Sequence, residues 1–142
     1  MLMSNEEQNL DDHGALVRLS YDGPVATMTL NRPDKLNPLD SATITALRGL
    51  VGELEARADI RVVRLMGAGK AFSAGGDLAG YISLYKSPAA FRAFLETFHD
   101  LLDGIERSAK IYMAVVNGAC VAGGLELLLA CDVAVAGHSA RI

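Results

Sequence analysis

Positions 117–126 read NGACVAGGLE, a glycine-bearing loop between an apolar run at 111–116 and a predicted helix that Gly123 and Gly124 open. An apolar run of this length, bounded by turn residues, predicts a buried strand. The N–H groups at a helix N-terminus are unpaired and favour an anion. Glu126 follows Gly123 by about one helical turn, so it can face the same space as the Gly123 N–H. The alternative is that Glu126 only caps the helix or complements its dipole.

A second glycine-bearing loop lies at positions 67–78, reads GAGKAFSAGGDL and follows another predicted buried strand at 61–66. It is not a phosphate-binding P-loop, because Arg64 occupies the place of the first glycine and Ala71 that of the serine or threonine. A tight connection between a strand and a helix is the alternative to a binding loop. Asp77 can act as the N-cap of a short helix after it.

The flanking sequence completes an alternating pattern of strands and helices. Runs at 15–21 and 25–30 surround an Asp-Gly-Pro turn and predict a hairpin. Asp40 or Ser41 is the predicted cap of one helix, and residues 88–107 carry the apolar stripe of another. The last predicted strand covers 132–136. The order ββαβαβαβ predicts an α/β fold over residues 15–142, after a disordered or extended arm at residues 1–14.

Composition excludes several classes of protein. The chain has 142 residues, of which 51% are hydrophobic and 21% charged, and a net charge of -4. This is a globular balance, and its mild acidity argues against nucleic acid as a partner. Cys120 and Cys131 lie in apolar runs and fit no metal site or disulfide framework, so a reducing, cytoplasmic setting is expected. The three histidines share no metal-binding spacing, and no metal site is predicted.

A membrane-spanning helix is the alternative for the apolar stretch at residues 111–136. Asn117, Glu126 and Asp132 interrupt this stretch, and so do glycines. A spanning helix needs about 20 predominantly apolar residues, and a carboxylate in mid-membrane is costly. Buried strand and helix of a globular core is therefore the preferred interpretation, and no membrane partner is expected.

Several motifs occur together in a fixed order. They are Asn31-Arg32-Pro33 with Asn37, residues 71–78, Val116-Asn117-Gly118, residues 123–127, and Cys131-Asp132. From Leu16 to Ile142 this pattern resembles the enoyl-CoA hydratase/isomerase (crotonase) family. The resemblance implies a crotonase-like (ClpP/crotonase) spiral of ββα units, truncated before the C-terminal helical trimerisation region.

The resemblance also implies roles for individual residues. The backbone N–H groups of Gly76 and Gly123 would form an oxyanion hole, and Glu126 would be the first of two acid/base glutamates. The second would lie about twenty residues later, beyond Ile142. Residues that match the coenzyme A site are Lys35, Leu36, Ala74, Gly76, Asp77 and Leu78. Lys35 could pair with a phosphate, and an ordinary solvated surface lysine is the alternative.

The function implied is hydration of a 2-enoyl-CoA in fatty acid metabolism, with coenzyme A as part of the substrate and no covalently bound cofactor. Isomerase, hydrolase, dehalogenase and decarboxylase reactions also occur in the family and remain alternatives. A non-catalytic remnant or assembly partner is an alternative of another class. The resemblance implies a homotrimer or a dimer of trimers for the full-length protein. It does not imply a particular acyl chain.

Overall fold

The structure is a computed structural model and describes residues 15–142, so the predicted N-terminal arm at 1–14 lies outside the described residues. Seven strands, four α-helices and one 3-10 helix make up this part of the chain. In order they are β1 (Val17–Asp22), β2 (Val25–Leu30), the 3-10 helix (Pro33–Lys35), α1 (Ser41–Glu55), β3 (Val62–Gly67), β4 (Ala71–Ser73), α2 (Leu78–Tyr85), α3 (Pro88–Glu106), β5 (Ile111–Val116), β6 (Ala119–Cys120), α4 (Gly123–Leu129) and β7 (Val133–Ala136).

Five strands form the main sheet, in the order β1-β2-β3-β5-β7. The β1–β2 pair is the predicted hairpin and is antiparallel, whereas each later neighbour is parallel. Met28 lies opposite Leu65, and Leu65 lies opposite Ala114, so the buried side chains of three strands are in line. Parallel neighbours need crossover connections, which helices supply. The predicted α/β class is confirmed.

The core lies between the main sheet and the helices. Ala26, Met28 and Leu30 alternate along β2 and are at most 1% exposed, as the alternating pattern predicts. Helices α1 and α3 pack against each other. The apolar stripe of α3 buries four side chains, although Leu95, also predicted in the core, is 36% exposed.

Two short strands correct the sequence prediction. β4 and β6 lie where loops were expected, and they pair with each other in parallel as a second sheet. They have three and two residues, which is too short for a period-two pattern to be recognised. The predicted boundaries of the other strands and helices agree with the observed ones to within two residues.

The apolar stretch at 111–136 folds as β5, β6, α4 and β7, which contradicts a single spanning helix. Among residues 15–142, no helix combines the length and the apolar character that crossing a membrane requires. Both cysteines are free thiols. Burial raises the pKa of the Cys131 thiol to about 12, with a further contribution from the charge of Asp132. Within the same residues, no three His, Cys, Asp or Glu side chains are grouped to hold a metal ion.

Candidate active site

The two glycine-bearing loops meet because β4 and β6 are parallel neighbours. The carboxyl ends of parallel strands lie at the same edge of a sheet. Residues 74–77 leave β4 and residues 121–122 leave β6 at this edge. The contact is close: a Cβ on Gly75 would lie 2.8 Å from the Ala122 Cβ and 3.3 Å from the Gly123 backbone nitrogen. Gly75 also has a φ of +89°, which a glycine adopts without strain.

Ser73 joins the two loops. Its carbonyl oxygen accepts a hydrogen bond of 3.2 Å from the Val121 N–H. Its hydroxyl donates to the Asn37 carbonyl at 2.8 Å and accepts from the Gly75 N–H at 3.1 Å. Ser73 is fully buried, so each of these bonds satisfies a group that water cannot reach. Ser73 therefore holds the two loops together, a role that no sequence motif indicated.

Asn37 supports the first loop from the other side. It is buried and has a φ of +54°, a conformation that asparagine tolerates better than most residues. Its side-chain amide donates to the carbonyls of Ala68 and Ala71, each at 2.9 Å. The side-chain oxygen accepts from the Arg32 N–H. The segment at 31–40 is therefore tied to the residues that lead into and out of β4.

The second loop turns sharply before α4. Ala122 has a φ of +50° and a ψ of −126°, and the Gly124 N–H donates to the Val121 carbonyl at 3.0 Å. A residue with a Cβ in this region carries strain of about 1–3 kcal/mol, which clusters at functional sites. Gly124 packs closely as well, because a Cβ there would lie 2.5 Å from the Ser73 carbonyl oxygen. The sequence carried no sign of this conformation at Ala122.

Gly76 and Gly123 each present an unbonded N–H group. Within residues 15–142, neither backbone nitrogen donates a hydrogen bond, although the neighbouring Gly75 and Gly124 nitrogens do. The loops that carry the two groups touch at Gly75 and Gly123. Preorganised backbone donors of this kind can stabilise an oxyanion.

Glu126 lies in the first turn of α4, where its own N–H donates to the Ala122 carbonyl at 3.1 Å. Its side chain is exposed. Within residues 15–142, no side-chain hydrogen bond caps α4, so the predicted alternative of a cap is not observed; Glu126 lies in the first turn, where the helix dipole favours a carboxylate. The carboxylate is close enough to Tyr81 to contribute, after burial, to a raised pKa of the Tyr81 hydroxyl.

The residues that match the coenzyme A site lie next to the first loop. The Leu36 carbonyl accepts a hydrogen bond of 2.9 Å from the Ala74 N–H, which brings Lys35 and Leu36 beside that loop. Lys35 and Leu36 are exposed, and Leu78 is 79% exposed. Asp77 is the N-cap of α2 and accepts from the Ala79 N–H at 3.1 Å, so the predicted capping role is confirmed.

Tyr81, in α2, lies against the first loop, and the family motifs do not include it. A Cβ on Gly76 would lie 2.0 Å from the Tyr81 hydroxyl oxygen, so the phenol occupies the space beside the Gly76 α-carbon. The ring also makes an edge-to-face contact with Phe94, at 5.5 Å between centroids. No sequence pattern reports this contact, because it depends on how the loop before α2 turns back.

The fold and its paired loops are those of the crotonase-like α/β proteins. A solved structure described as an enoyl-CoA hydratase/carnithine racemase from Magnetospirillum magneticum superposes with a TM-score of 0.85. It is 33% identical to this chain and matches 89% of this chain and 48% of its own. The expected fold class is confirmed.

The chain belongs to the enoyl-CoA hydratase/isomerase family, whose model matches residues 21–142. The short-chain-enoyl-CoA hydratase of Clostridium acetobutylicum is 34% identical over 88% of this chain and 48% of its own length. The peroxisomal Delta(3,5)-Delta(2,4)-dienoyl-CoA isomerase of Arabidopsis thaliana is 29% identical over 83% of this chain and 46% of its own. The chain spans about half the length of these curated relatives.

Proposed function

We propose that the complete polypeptide encoded by the gene is an enoyl-CoA hydratase. One observation carries the proposal: two loops in contact carry the Gly76 and Gly123 N–H groups, which donate no hydrogen bond within residues 15–142, and Glu126 follows Gly123 by one helical turn. Membership of the enoyl-CoA hydratase/isomerase family supports it.

In hydration, water adds to C3 of the enoyl group and a proton is delivered to C2. Negative charge develops on the thioester oxygen between these events. The Gly76 and Gly123 N–H groups would bind that oxygen, and removal of one such donor typically costs about 3 kcal/mol of transition-state stabilisation. Glu126 would act as one of two acid/base carboxylates, since one group removes a proton while another donates one.

Binding of the coenzyme A portion is assigned to the strip of residues beside the first loop. Lys35 is exposed there and can meet a phosphate, and the Leu36–Ala74 hydrogen bond keeps the strip next to Gly76. Leu78 offers an exposed apolar surface to the pantetheine chain. Coenzyme A enters as part of the substrate, and the chemistry needs no metal ion.

We also propose that the protein is cytoplasmic, takes part in fatty acid metabolism and assembles, at full length, as a homotrimer or a dimer of trimers.

Isomerisation of an enoyl-CoA is the second candidate. One observation favours it: a relative named as a dienoyl-CoA isomerase matches 83% of this chain. Moving a double bond requires a proton to leave one carbon and return to another, which a single carboxylate such as Glu126 can do. Both reactions would use the same two N–H groups, so they differ in the number of carboxylates that act as acid or base.

Hydration of crotonyl-CoA by the complete polypeptide, followed by the loss of enoyl absorbance, tests the proposal. Glu126→Gln keeps the size of the side chain and removes the acid/base group, so kcat should fall by about 100-fold or more. Glu96→Gln is the matched control, because Glu96 is an exposed glutamate of α3, and it should leave kcat unchanged. Failure to hydrate crotonyl-CoA while acyl-CoA still binds would reject the hydratase and favour the isomerase.

A further inference from the structure

Leu39 contacts both glycine-bearing loops, although it belongs to neither of them. It directly precedes Asp40, the N-cap of α1, and it is 1% exposed. Its backbone N–H donates a hydrogen bond of 2.8 Å to the Gly75 carbonyl in the first loop. Its side chain reaches the second loop, because a Cβ on Gly123 would lie 3.3 Å from the Leu39 Cδ1. A single buried residue therefore links the two loops.

The hydrogen bond from Leu39 fixes the direction of a neighbouring N–H group. The Gly75 carbonyl and the Gly76 N–H belong to the same peptide unit. This unit is planar and trans, so its C=O and N–H bonds point in opposite directions. Rotation of the peptide would turn the Gly76 N–H away and would also break the bond from Leu39. That bond therefore holds the Gly76 N–H in one orientation.

The Gly123 N–H is held in an equivalent way. It shares a peptide unit with the Ala122 carbonyl, which accepts a hydrogen bond of 3.1 Å from the Glu126 N–H in the first turn of α4. The helix thus sets the direction of this N–H. Packing sets its location, since Leu39 and the buried Phe98 both lie within 4 Å of a Cβ placed on Gly123.

Leu39 is itself anchored through its neighbours in the chain. The Asn37 carbonyl accepts a side-chain hydrogen bond of 2.8 Å from the first loop, and the Asp40 carboxylate accepts from the Thr43 N–H at 2.9 Å. Asn37 and Leu36 both have a positive φ, of +54° and +59°. Residues with a Cβ are strained in this conformation, and such strain clusters at functional sites. Leu39 is therefore held rigidly enough to position other groups.

We propose that Leu39 is the positioning residue of the oxyanion hole: its N–H orients the Gly76 N–H, and its side chain locates the Gly123 N–H. This inference rests on the proposed function, since it concerns the same two donors. Leu39 acts through those donors and not on the substrate itself. A misplacement of about 1 Å at a catalytic centre can cost about 100-fold in rate. Because the donors stabilise the transition state, their displacement lowers kcat more than it changes KM.

Two changes at Leu39, made in the complete polypeptide, separate its two contacts. Leu39→Ala removes the side chain beside Gly123. Replacement of Leu39 by its 2-hydroxy acid turns the amide into an ester, which removes the N–H and keeps the side chain. Each change should lower kcat for hydration of crotonyl-CoA by about tenfold or more and change KM by less than about twofold. Leu39→Met keeps the N–H and a similar volume, so its kcat should stay within about threefold of the wild type.

Leu54 provides the matched control for both changes. It is fully buried in α1, about 20 Å along the helix from its first residue. Leu54→Ala and the same ester at Leu54 should lower thermal stability but leave kcat unchanged at temperatures where circular dichroism shows a folded protein. Should Leu39→Ala fail to fold, the ester at Leu39 decides the test. Equal kcat values in the Leu39 and Leu54 variants would overturn the inference.

The infrared band of a bound thioester carbonyl separates this inference from the proposed function, because it requires no turnover. Butyryl-CoA labelled with 13C at the thioester carbon is the probe, and hydrogen bonds to its oxygen lower the frequency of the band. The shift on binding should be smaller in both Leu39 variants than in the wild type. If the wild type shifts the band but hydrates no crotonyl-CoA, the hydratase proposal fails and the band still decides the role of Leu39. An equal shift in the wild type and both Leu39 variants, or no shift in the wild type, overturns the inference.

Discussion

The loop at residues 74–77 and the loop at residues 121–124 lie in contact, yet different interactions hold them. The first loop depends on polar side chains: the Ser73 hydroxyl binds the Gly75 N–H, and Asn37 supports the strand before it. The second depends on backbone: a positive φ at Ala122 and close packing of Gly124 on Ser73. A hydrogen bond to a side chain is lost when one side-chain atom is removed. A close backbone contact is instead disrupted when an atom is added.

The largest effect is expected from Gly124→Ala, which adds an atom to the backbone-held loop. The new Cβ would lie 2.5 Å from the Ser73 carbonyl oxygen, and backbone at that distance must move. The free energy of unfolding, measured by urea denaturation, should fall by about 3 kcal/mol. Gly52→Ala is the control: no atom lies within 4 Å of its Cβ position in α1, so stability should rise by about 1 kcal/mol. Equal free energies of unfolding for Gly124→Ala and the wild type would mean that the two loops can move apart at no cost in stability.

Ser73→Ala tests the loop that side chains hold. Removal of the hydroxyl leaves the Gly75 N–H and the Asn37 carbonyl without this partner, in a place that water does not reach. The free energy of unfolding should fall by about 2 kcal/mol, the usual cost of leaving a buried polar group unsatisfied. Ser20→Ala, at an exposed position of β1, should change it by less than about 0.5 kcal/mol. A change in Ser73→Ala as small as that of Ser20→Ala would contradict the assigned scaffold.

The smallest effect is the pH dependence of stability that Asp40 contributes, in the segment that supports the first loop. Burial raises the pKa of Asp40, but hydrogen bonds from Thr43 and the ion pair with Arg32 outweigh it and keep the pKa below its usual range. A carboxyl whose pKa is lower in the folded chain stabilises the fold above its unfolded pKa of about 3.9, and this contribution is lost as the pH falls through the folded value.

Asp40→Asn should therefore remove part of the acid sensitivity while keeping a helix cap, since asparagine caps as well as aspartate. The loss of stability between pH 5 and pH 3 should be smaller than in the wild type by less than about 1 kcal/mol. Asp34→Asn, at an exposed position of the same segment, is the control. Identical pH dependence in wild type and Asp40→Asn would show that the ion pair contributes nothing to the fold.

The sequence predicted the strands and helices in which apolar residues recur at a regular spacing. The hairpin, the strands β3 and β5 and the stripe of α3 carry several periods of apolar residues, and burial of Met28 and Leu101 follows from that spacing. The family motifs contain the two loops that touch, because glycine is required where backbones approach closely, as at Gly75 and Gly124.

The rest depended on tertiary contacts that no local pattern reports. β6 has two residues, and it forms through its pairing with β4 and a bridge to Arg141. Alanine has no preference for the positive φ that Ala122 adopts, so the surrounding structure imposes it. The position of Tyr81 against Gly76 follows from the turn into α2, and the Asn37–Ser73 bond joins residues far apart in sequence.

Amide proton shifts of the complete polypeptide, measured by NMR with 15N labelling during titration with non-reacting butyryl-CoA, test the central claim most directly. The claim is that the Gly76 and Gly123 N–H groups bind the thioester oxygen. Both amide protons should move downfield as new hydrogen bonds form, while those of Gly49 and Gly52, in α1, should stay in place. Saturable binding of butyryl-CoA with no shift at Gly76 or Gly123 would contradict the account.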